Sequence, residues 1–238
     1  MVRTCRTRSI VLTTSAAVLL GLGLPLRASD DIGKCEASTF PATGQTKPFT
    51  ADTSVGYETE LRDDGAVKAG GRLHYRDNGD GTIIDLNTGL MWEKKSNDGG
   101  LHDWGNKYLW SFAFKTTIWD WLDQVNAEGG KGFAGHNDWR IPNVKELMSI
   151  VDFGTFGPAV DSAFNNGNKP GCTVLDCSLT AASLHWSSTA LATIPDGAWG
   201  VFFVNGIANF DDKSDLNVIR AVRAGCVPAT SSTPRSKK

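Results

Sequence analysis

The chain has 238 residues, of which 40% are hydrophobic and 21% are charged, and its formal net charge is −2. This length is sufficient for one sizeable hydrophobic core, or for one domain with an extension. The charge balance excludes the strongly basic surface that general nucleic-acid binding requires.

The first 28 residues have the layout of a secretory signal peptide. A basic start with Arg3, Arg6 and Arg8 precedes the apolar run Ile10 to Leu24, and Leu26-Arg27-Ala28 offers a cleavage site. The run has about 15 residues, fewer than the roughly 20 that span a bilayer. We therefore expect export to the periplasm, the cell surface or the medium, with no membrane span in the mature chain. An uncleaved membrane anchor is the alternative.

Residues 29–71 are polar and rich in turn residues, which predicts an extension packed on the main domain. That domain is expected to span residues 72–227 and to be followed by a disordered tail, residues 228–238. Its first feature is a hairpin from Asp77 to Lys95. Strands are predicted at Thr82–Leu86 and Leu90–Glu93, each preceded by a glycine turn.

Two short helices follow the hairpin. Thr117 is the predicted N-cap of a helix from Ile118 to Ala127, which has apolar residues at spacings of three and four. Asn143 is the predicted N-cap of the second helix, where Glu146 completes a capping box. The length of the loop from Phe153 to Leu184 is typical of a functional or a disordered segment.

Three further strands are predicted, at His185–Thr189, Ala198–Val204 and Asn217–Ala224. Strands and loops with only two helices indicate an α+β fold. Five tryptophans in these segments are expected in the core: Trp92, Trp121, Trp139, Trp186 and Trp199.

The cysteines favour disulfide bonds, because four remain after the signal peptide and the chain is exported. We favour Cys172–Cys177, which closes a short loop, and Cys35–Cys226, which would join the ends of the folded region. Free or metal-bound thiols are the alternative, although the spacing is not a clean zinc pattern.

Several short segments occur in an order that resembles one bacterial domain family. They are Pro41 to Thr46, the hairpin, Asp138 to Leu147, Trp186 to Thr189, Ala198 to Val201 and Val222-Arg223. From about Phe40 to Cys226 the chain resembles the Lcl C-terminal domain family, which is named after the C-terminal domain of a collagen-like adhesin. The resemblance implies a C-type-lectin-like fold, with two short helices, small antiparallel sheets and long loops.

Studied members of that family are surface adhesins that bind polysaccharides. The resemblance therefore implies an exported, non-enzymatic binding module for an extracellular polysaccharide or a cell-surface ligand, without a cofactor. Classical C-type lectins hold sugar through calcium, but the nearest string here, Ile141-Pro142-Asn143, lacks the required carboxylate. We expect no calcium-dependent sugar site. The alternatives are a structural or assembly component of the cell envelope and a metal- or thiol-dependent enzyme.

Aromatic and basic residues near the hairpin are the candidate ligand contacts. Trp104 and Trp110 lie in the polar loop 96–112, where indoles either stack on sugar rings or pack onto the core. An exposed platform of these two residues beside a lysine pair would favour glycan recognition. The candidate contacts for an acidic polysaccharide are Lys94, Lys95, Lys107 and Lys115.

Other polar residues are expected to be structural. Asp77, Asn78, Asp80 and Asp85 fit a glycine-rich turn better than a cation site, so no metal site is predicted. Three arginines near core positions are expected to form structural ion pairs: Arg140, Arg220 and Arg223.

Overall fold

The computed structural model describes residues 40–48, 62–167 and 169–225. The predicted signal peptide, Cys35, Cys226 and the C-terminal tail lie outside these ranges. Within them, no helix is long and apolar enough to cross a membrane. The short segment from Phe40 contacts the main domain, because Ala42 N donates to Gly71 O at 2.7 Å and Phe153 N donates to Thr43 O at 2.7 Å.

The described residues form a small α+β domain with few helices and two mostly antiparallel sheets. Its strands are β1 (Tyr75–Asp77), β2 (Thr82–Asp85), β3 (Leu90–Glu93), β4 (Lys107–Tyr108), β5 (Leu184–Ala190), β6 (Gly197–Phe202), β7 (Ile207–Asp212), β8 (Asn217–Val218) and β9 (Val222–Ala224). The first sheet has the order β1-β2-β3-β9 and the second has the order β4-β8-β5-β6-β7. All pairs are antiparallel except β5 with β8.

The helices are α1 (Asp64–Val67), α2 (Ile118–Ala127) and α3 (Val144–Ser149). Single 3₁₀ turns occur at Glu128–Gly130, Phe133–Gly135 and Ser162–Phe164. The predicted bounds of α2 are confirmed. Both predicted caps are capping boxes, in which Thr117 pairs with Asp120 and Asn143 pairs with Glu146. These local signals mark the residues at which the two helices begin.

The core consists of two large apolar clusters. One lies between α3 and the two sheets and includes Ile83, Trp92, Leu147, Phe164, Val201 and Phe203. The other lies around α2 and includes Ile118, Trp121, Val125, Trp139, Trp186 and Ile219. Four of the five predicted core tryptophans are confirmed as buried, whereas Trp199 is only partly buried.

The prediction of one strand from Asn217 to Ala224 is wrong. Residues 217–218 pair in the second sheet as β8, and residues 222–224 pair in the first sheet as β9. The three residues between them are buried, and they include Arg220, which is 1% exposed. Hydrogen bonds from its guanidinium to three separate acceptors hold the chain where it passes from one sheet to the other.

The cap of α2 provides a test of the local part of this architecture. Thr117→Ala removes the hydroxyl that accepts from Asp120 N, so we expect the free energy of unfolding to fall by about 1 kcal/mol. Urea denaturation followed by circular dichroism measures this change. The adjacent exposed Thr116→Ala is the control, with an expected change below about 0.5 kcal/mol. Equal effects of the two substitutions would contradict the assignment.

Candidate ligand-binding cleft

A buried carboxylate lies at the end of β3. Glu93 is fully buried, and its Oε1 lies 2.9 Å from Lys95 Nζ and 2.6 Å from His102 Nδ1. Its Oε2 accepts a hydrogen bond from Ala221 N at 2.8 Å. Burial alone would raise the pKa of Glu93, but Lys95, His102 and the Ala221 amide outweigh burial and hold it at about 2. Glu93 is therefore ionised at neutral pH.

His102 joins this carboxylate to a second one. Its Nδ1 faces Glu93 and its Nε2 lies 3.0 Å from Glu128 Oε2. Burial opposes protonation, but the hydrogen bond and charge of Glu93, followed by Glu128, raise the pKa of His102 above its ordinary value. Because ionised carboxylates only accept hydrogen bonds, the doubly protonated imidazolium satisfies both contacts.

Arg220 connects the same cluster to the long loop. Its guanidinium donates to Glu93 O at 2.6 Å, to Leu179 O at 2.6 Å and to Thr180 Oγ1 at 2.9 Å. Burial lowers the pKa of Arg220 to about 10, against the opposing effect of Glu93, so the group stays charged at neutral pH. We call Glu93, Lys95, His102 and Arg220 the buried charge cluster.

A cleft of about 230 Å³ lies beside the buried charge cluster. Its lining residues are Trp104, Gly157, Pro158, Asn165, Leu179, Thr180 and Ala182. Leu179 and Thr180 accept from Arg220, and Leu179 N donates to Lys95 O at 3.0 Å. The buried charge cluster therefore fixes the part of the lining that the long loop contributes.

A disulfide bond supports the aromatic wall of the cleft. The predicted Cys172–Cys177 bond is confirmed, and both cysteines pack with Leu179 in a small cluster that Trp104 contacts. The partner bond, Cys35–Cys226, lies outside the described residues and stays a prediction. Trp104 N also donates to Ser96 O at 3.0 Å. Contacts therefore hold both the backbone of Trp104 and its ring.

The cleft has the chemistry of a neutral polar site. None of its lining side chains is ionisable, and it combines an indole with the Asn165 amide. The Thr180 hydroxyl is already used, because it donates to Phe164 O at 2.8 Å and accepts from Arg220 at 2.9 Å. Asn165 Oδ1 accepts from Thr180 N at 3.4 Å. Among the described residues, no hydrogen bond uses its Nδ2 group, which leaves two donors for a ligand. The volume is below the roughly 300–1,000 Å³ of drug-sized pockets, so the cleft has room only for a small group.

The exposed lysine pair that would favour glycan recognition beside the two tryptophans is not present at Lys94 and Lys95. Lys94 is 1% exposed and its Nζ lies 2.6 Å from Asp77 Oδ2, and Lys95 is 3% exposed in the buried charge cluster. Both ammonium groups are occupied by carboxylates, because a buried charge requires a partner. Lys107 and Lys115 are exposed, but neither lines the cleft.

Trp104 and Trp110 do not form one platform along the cleft. Trp110 is absent from the cleft lining, its Nε1 donates to Ser187 O at 2.8 Å, and its ring packs edge-on against Trp119. Ligand contact by Trp104 or Trp110 stays a prediction, and the cleft geometry favours Trp104.

The predicted structural ion pairs are present for two of the three arginines. Arg140 pairs with Glu146 at 2.5 Å, and Arg223 pairs with Asp138 at 2.7 Å. Arg220 differs, because it donates to carbonyl and hydroxyl oxygens and not to a carboxylate.

The predicted turn after β1 is held by its own carboxylates. Asp77 accepts a hydrogen bond from Gly79 N, and Asp80 accepts one from Thr82 N.

The sequence interpretation missed Glu93 and His102. The sequence pattern places Glu93 only at the end of a strand and assigns no role to His102. A usable signal exists, since Glu93 closes an otherwise apolar strand and directly precedes two lysines. Its partners, however, lie up to 128 positions away in the chain.

A second, mostly apolar groove of about 960 Å³ lies between the segment from Phe40 to Thr43 and α3. It has a different composition from the cleft, with Val144, Met148 and Val151 among its lining residues.

The buried charge cluster leads to a stability test. Glu93→Gln leaves the Lys95 and Arg220 charges buried without their counter-ion, so we expect a loss of about 3–5 kcal/mol in the free energy of unfolding. Denaturation in urea measures it. Asp138→Asn is the matched control: its carboxylate is 59% exposed and pairs with Arg223, so the expected loss is at most about 1 kcal/mol. A loss for Glu93→Gln no larger than that of the control would refute the central role of Glu93.

His185 gives a pH test. It is 2% exposed, and burial, followed by the charge of Arg220, lowers its pKa from 6.5 to about 3. Above pH 6.5 the ring is neutral in both the folded and the unfolded chain, so its contribution to stability is fully present. As the pH falls from 6.5 towards 3, the unfolded chain binds a proton that the buried ring does not, and this contribution is lost. Between pH 6.5 and 4, we expect the stability of the wild type to fall more steeply than that of His185→Gln, by up to about 1.4 kcal/mol per pH unit. Exposed His74→Gln should retain the wild-type slope, and equal slopes for all three proteins would contradict this account.

Comparison with known protein families shows that one domain model covers all the residues that line the cleft. The model of the Lcl C-terminal domain matches residues 81–223. The match is narrower than the expected range from Phe40 to Cys226, and it includes all the cleft residues but not the Phe40–Thr43 side of the apolar groove. A search of curated proteins found no match. Since the matched residues are more than half of the chain, the protein belongs to the Lcl C-terminal domain family.

Proposed function

We propose that this protein is an exported, non-enzymatic binding module that recognises a neutral sugar unit of an extracellular polysaccharide in the Trp104 cleft, without calcium. Family membership supports an adhesin-associated role. We also propose that the two sheets and flanking helices have the C-type-lectin-like arrangement. The observation that carries the function is the cleft itself, whose lining combines a supported indole with the Asn165 amide.

The indole of Trp104 suits sugar recognition because its position is fixed before a ligand arrives. The disulfide cluster supports the ring, and the backbone of Trp104 is hydrogen bonded to Ser96. Aromatic faces contact the apolar face of a sugar ring, and nearby polar groups fix its orientation by hydrogen bonds. A preorganised site loses little conformational entropy on binding.

The charges around the cleft favour a neutral ligand over a sulfated one. No cationic side chain lines the cleft, and the cations beneath it are already paired or hydrogen bonded. The same lining supports binding rather than hydrolysis. Glycoside hydrolysis commonly requires two carboxylates on either side of the scissile bond, and none of the lining residues is acidic.

A glycan array with the full-length protein, followed by calorimetry, tests this proposal. We expect binding to one or more neutral glycans that persists in EDTA and weakens by at least about tenfold in Trp104→Ala, which corresponds to roughly 1.4 kcal/mol. Trp119→Ala is the matched control, because Trp119 is also partly exposed but does not line the cleft. It should bind as the wild type does.

Three results would contradict the proposal. They are no binding to any neutral glycan, binding that EDTA abolishes, and equal weakening by Trp104→Ala and Trp119→Ala. The first would favour the alternative role in envelope assembly. Thermal unfolding of both variants separates a lost contact from a lost fold.

A further inference from the structure

The side chains that line the cleft divide into an apolar wall and an accessible amide. The apolar wall consists of Trp104, Pro158, Leu179 and Ala182. The amide is that of Asn165, an exposed residue that a ligand can reach from solvent. A ligand group that enters the cleft therefore meets mainly carbon, together with one amide.

The side-chain oxygens of the lining are already in hydrogen bonds. Thr180 Oγ1 accepts from Arg220 at 2.9 Å and donates to Phe164 O at 2.8 Å. Asn165 Oδ1 accepts from Thr180 N at 3.4 Å. Among the described residues, none accepts from Asn165 Nδ2 or from Trp104 Nε1. The lining side chains therefore offer a ligand N–H donors, whereas their oxygens are occupied.

Arg220 adds positive charge beneath the apolar wall. Its guanidinium donates to Leu179 O and Thr180 Oγ1, and both residues line the cleft. The buried charge cluster contains three cations and one carboxylate, and the second carboxylate at His102, that of Glu128, is 43% exposed to screening by water. This excess of positive charge favours a ligand atom with partial negative charge, such as a carbonyl oxygen.

We propose that the cleft recognises the acetamido group of an N-acetylated amino sugar. This inference rests on the proposed function and names the part of the sugar that enters the cleft. The acetamido oxygen accepts from Asn165 Nδ2, and the methyl group packs against the apolar wall. An acetamido group is much smaller than a sugar ring, which agrees with a cleft of about 230 Å³ that has room only for a small group.

Other small groups of sugars match the lining less well. A hydroxyl group can accept from Asn165, but it has no apolar part to cover the wall, and its hydrogen meets side-chain oxygens that are already occupied. A protonated amine brings donors and a positive charge towards Arg220. A site that hydrogen bonds one group of its ligand rejects analogues without that group, because its own polar atoms are then left unpaired.

Oligosaccharides that differ at one ring position test the inference. Chitotetraose has an acetamido group there, cellotetraose has a hydroxyl group, and the deacetylated chitosan tetramer has an amine on the same backbone. In calorimetry with the full-length protein, we expect chitotetraose to bind at least about tenfold more tightly than the other two.

Asn165→Asp tests the donor. An aspartate keeps an oxygen for Thr180 N but removes both N–H donors, so the affinity for chitotetraose should fall by at least about tenfold and the preference over cellotetraose should disappear. Asn166→Asp is the matched control, because it adds the same charge one residue away. Its side chain accepts from Ser178 N at 2.8 Å and does not line the cleft, so its binding should equal that of the wild type. Thermal unfolding verifies that both variants are folded.

Saturation-transfer NMR identifies the bound group without a variant. In the complex with chitotetraose, the acetyl methyl protons should receive more saturation from the protein than the ring protons do, because the methyl group is the part that enters the cleft.

Three results would overturn the inference. They are equal binding of chitotetraose and cellotetraose, stronger saturation of the ring protons than of the methyl protons, and equal weakening by Asn165→Asp and Asn166→Asp. The proposed function survives each of them if another neutral glycan still binds in a manner that depends on Trp104. Absence of binding to any neutral glycan would overturn both.

Discussion

The fold depends on one buried negative charge, that of Glu93. A carboxylate removed from water is tolerated only when several donors replace its hydration. Here the donors come from three separate places in the chain: Lys95 directly after β3, His102 in the next loop, and Ala221 between β8 and β9. Together these donors tie the hairpin to the segment between β8 and β9, so the buried carboxylate holds the two parts of the chain in one relative arrangement.

This constraint also shapes the cleft. Arg220 is next to Ala221, whose amide donates to Glu93. Its guanidinium donates hydrogen bonds to Leu179 and Thr180, so it links the Glu93 region to the long loop. The disulfide bond independently holds the loop just before these residues and supports Trp104. The Trp104 indole of the loop 96–112 and the Asn165 amide of the long loop are thus held in fixed positions, which is what recognition of a small neutral group requires.

Local sequence signals predicted local structure well. The capping residues of α2 and α3, the glycine turns of the hairpin and the short-range disulfide bond each involve residues within a few positions. The errors involve distant partners. Lys94 pairs with Asp77, 17 positions away, and Lys95 is buried by cover from other segments although its partner Glu93 is near in the chain. The division of the last strand depends on Arg220 reaching acceptors 40 to 127 positions away. Single-sequence patterns contain no such pairings.

The most direct test of the account locates the ligand on the molecule. The chain has eight tryptophans, and each indole N–H gives its own signal in a two-dimensional ¹⁵N–¹H NMR spectrum. During titration with the neutral oligosaccharide that binds best on the array, the account predicts a shift of the Trp104 signal while those of Trp110 and Trp119 stay in place. Shifts at Trp110 and Trp119 with an unchanged Trp104 signal would contradict it.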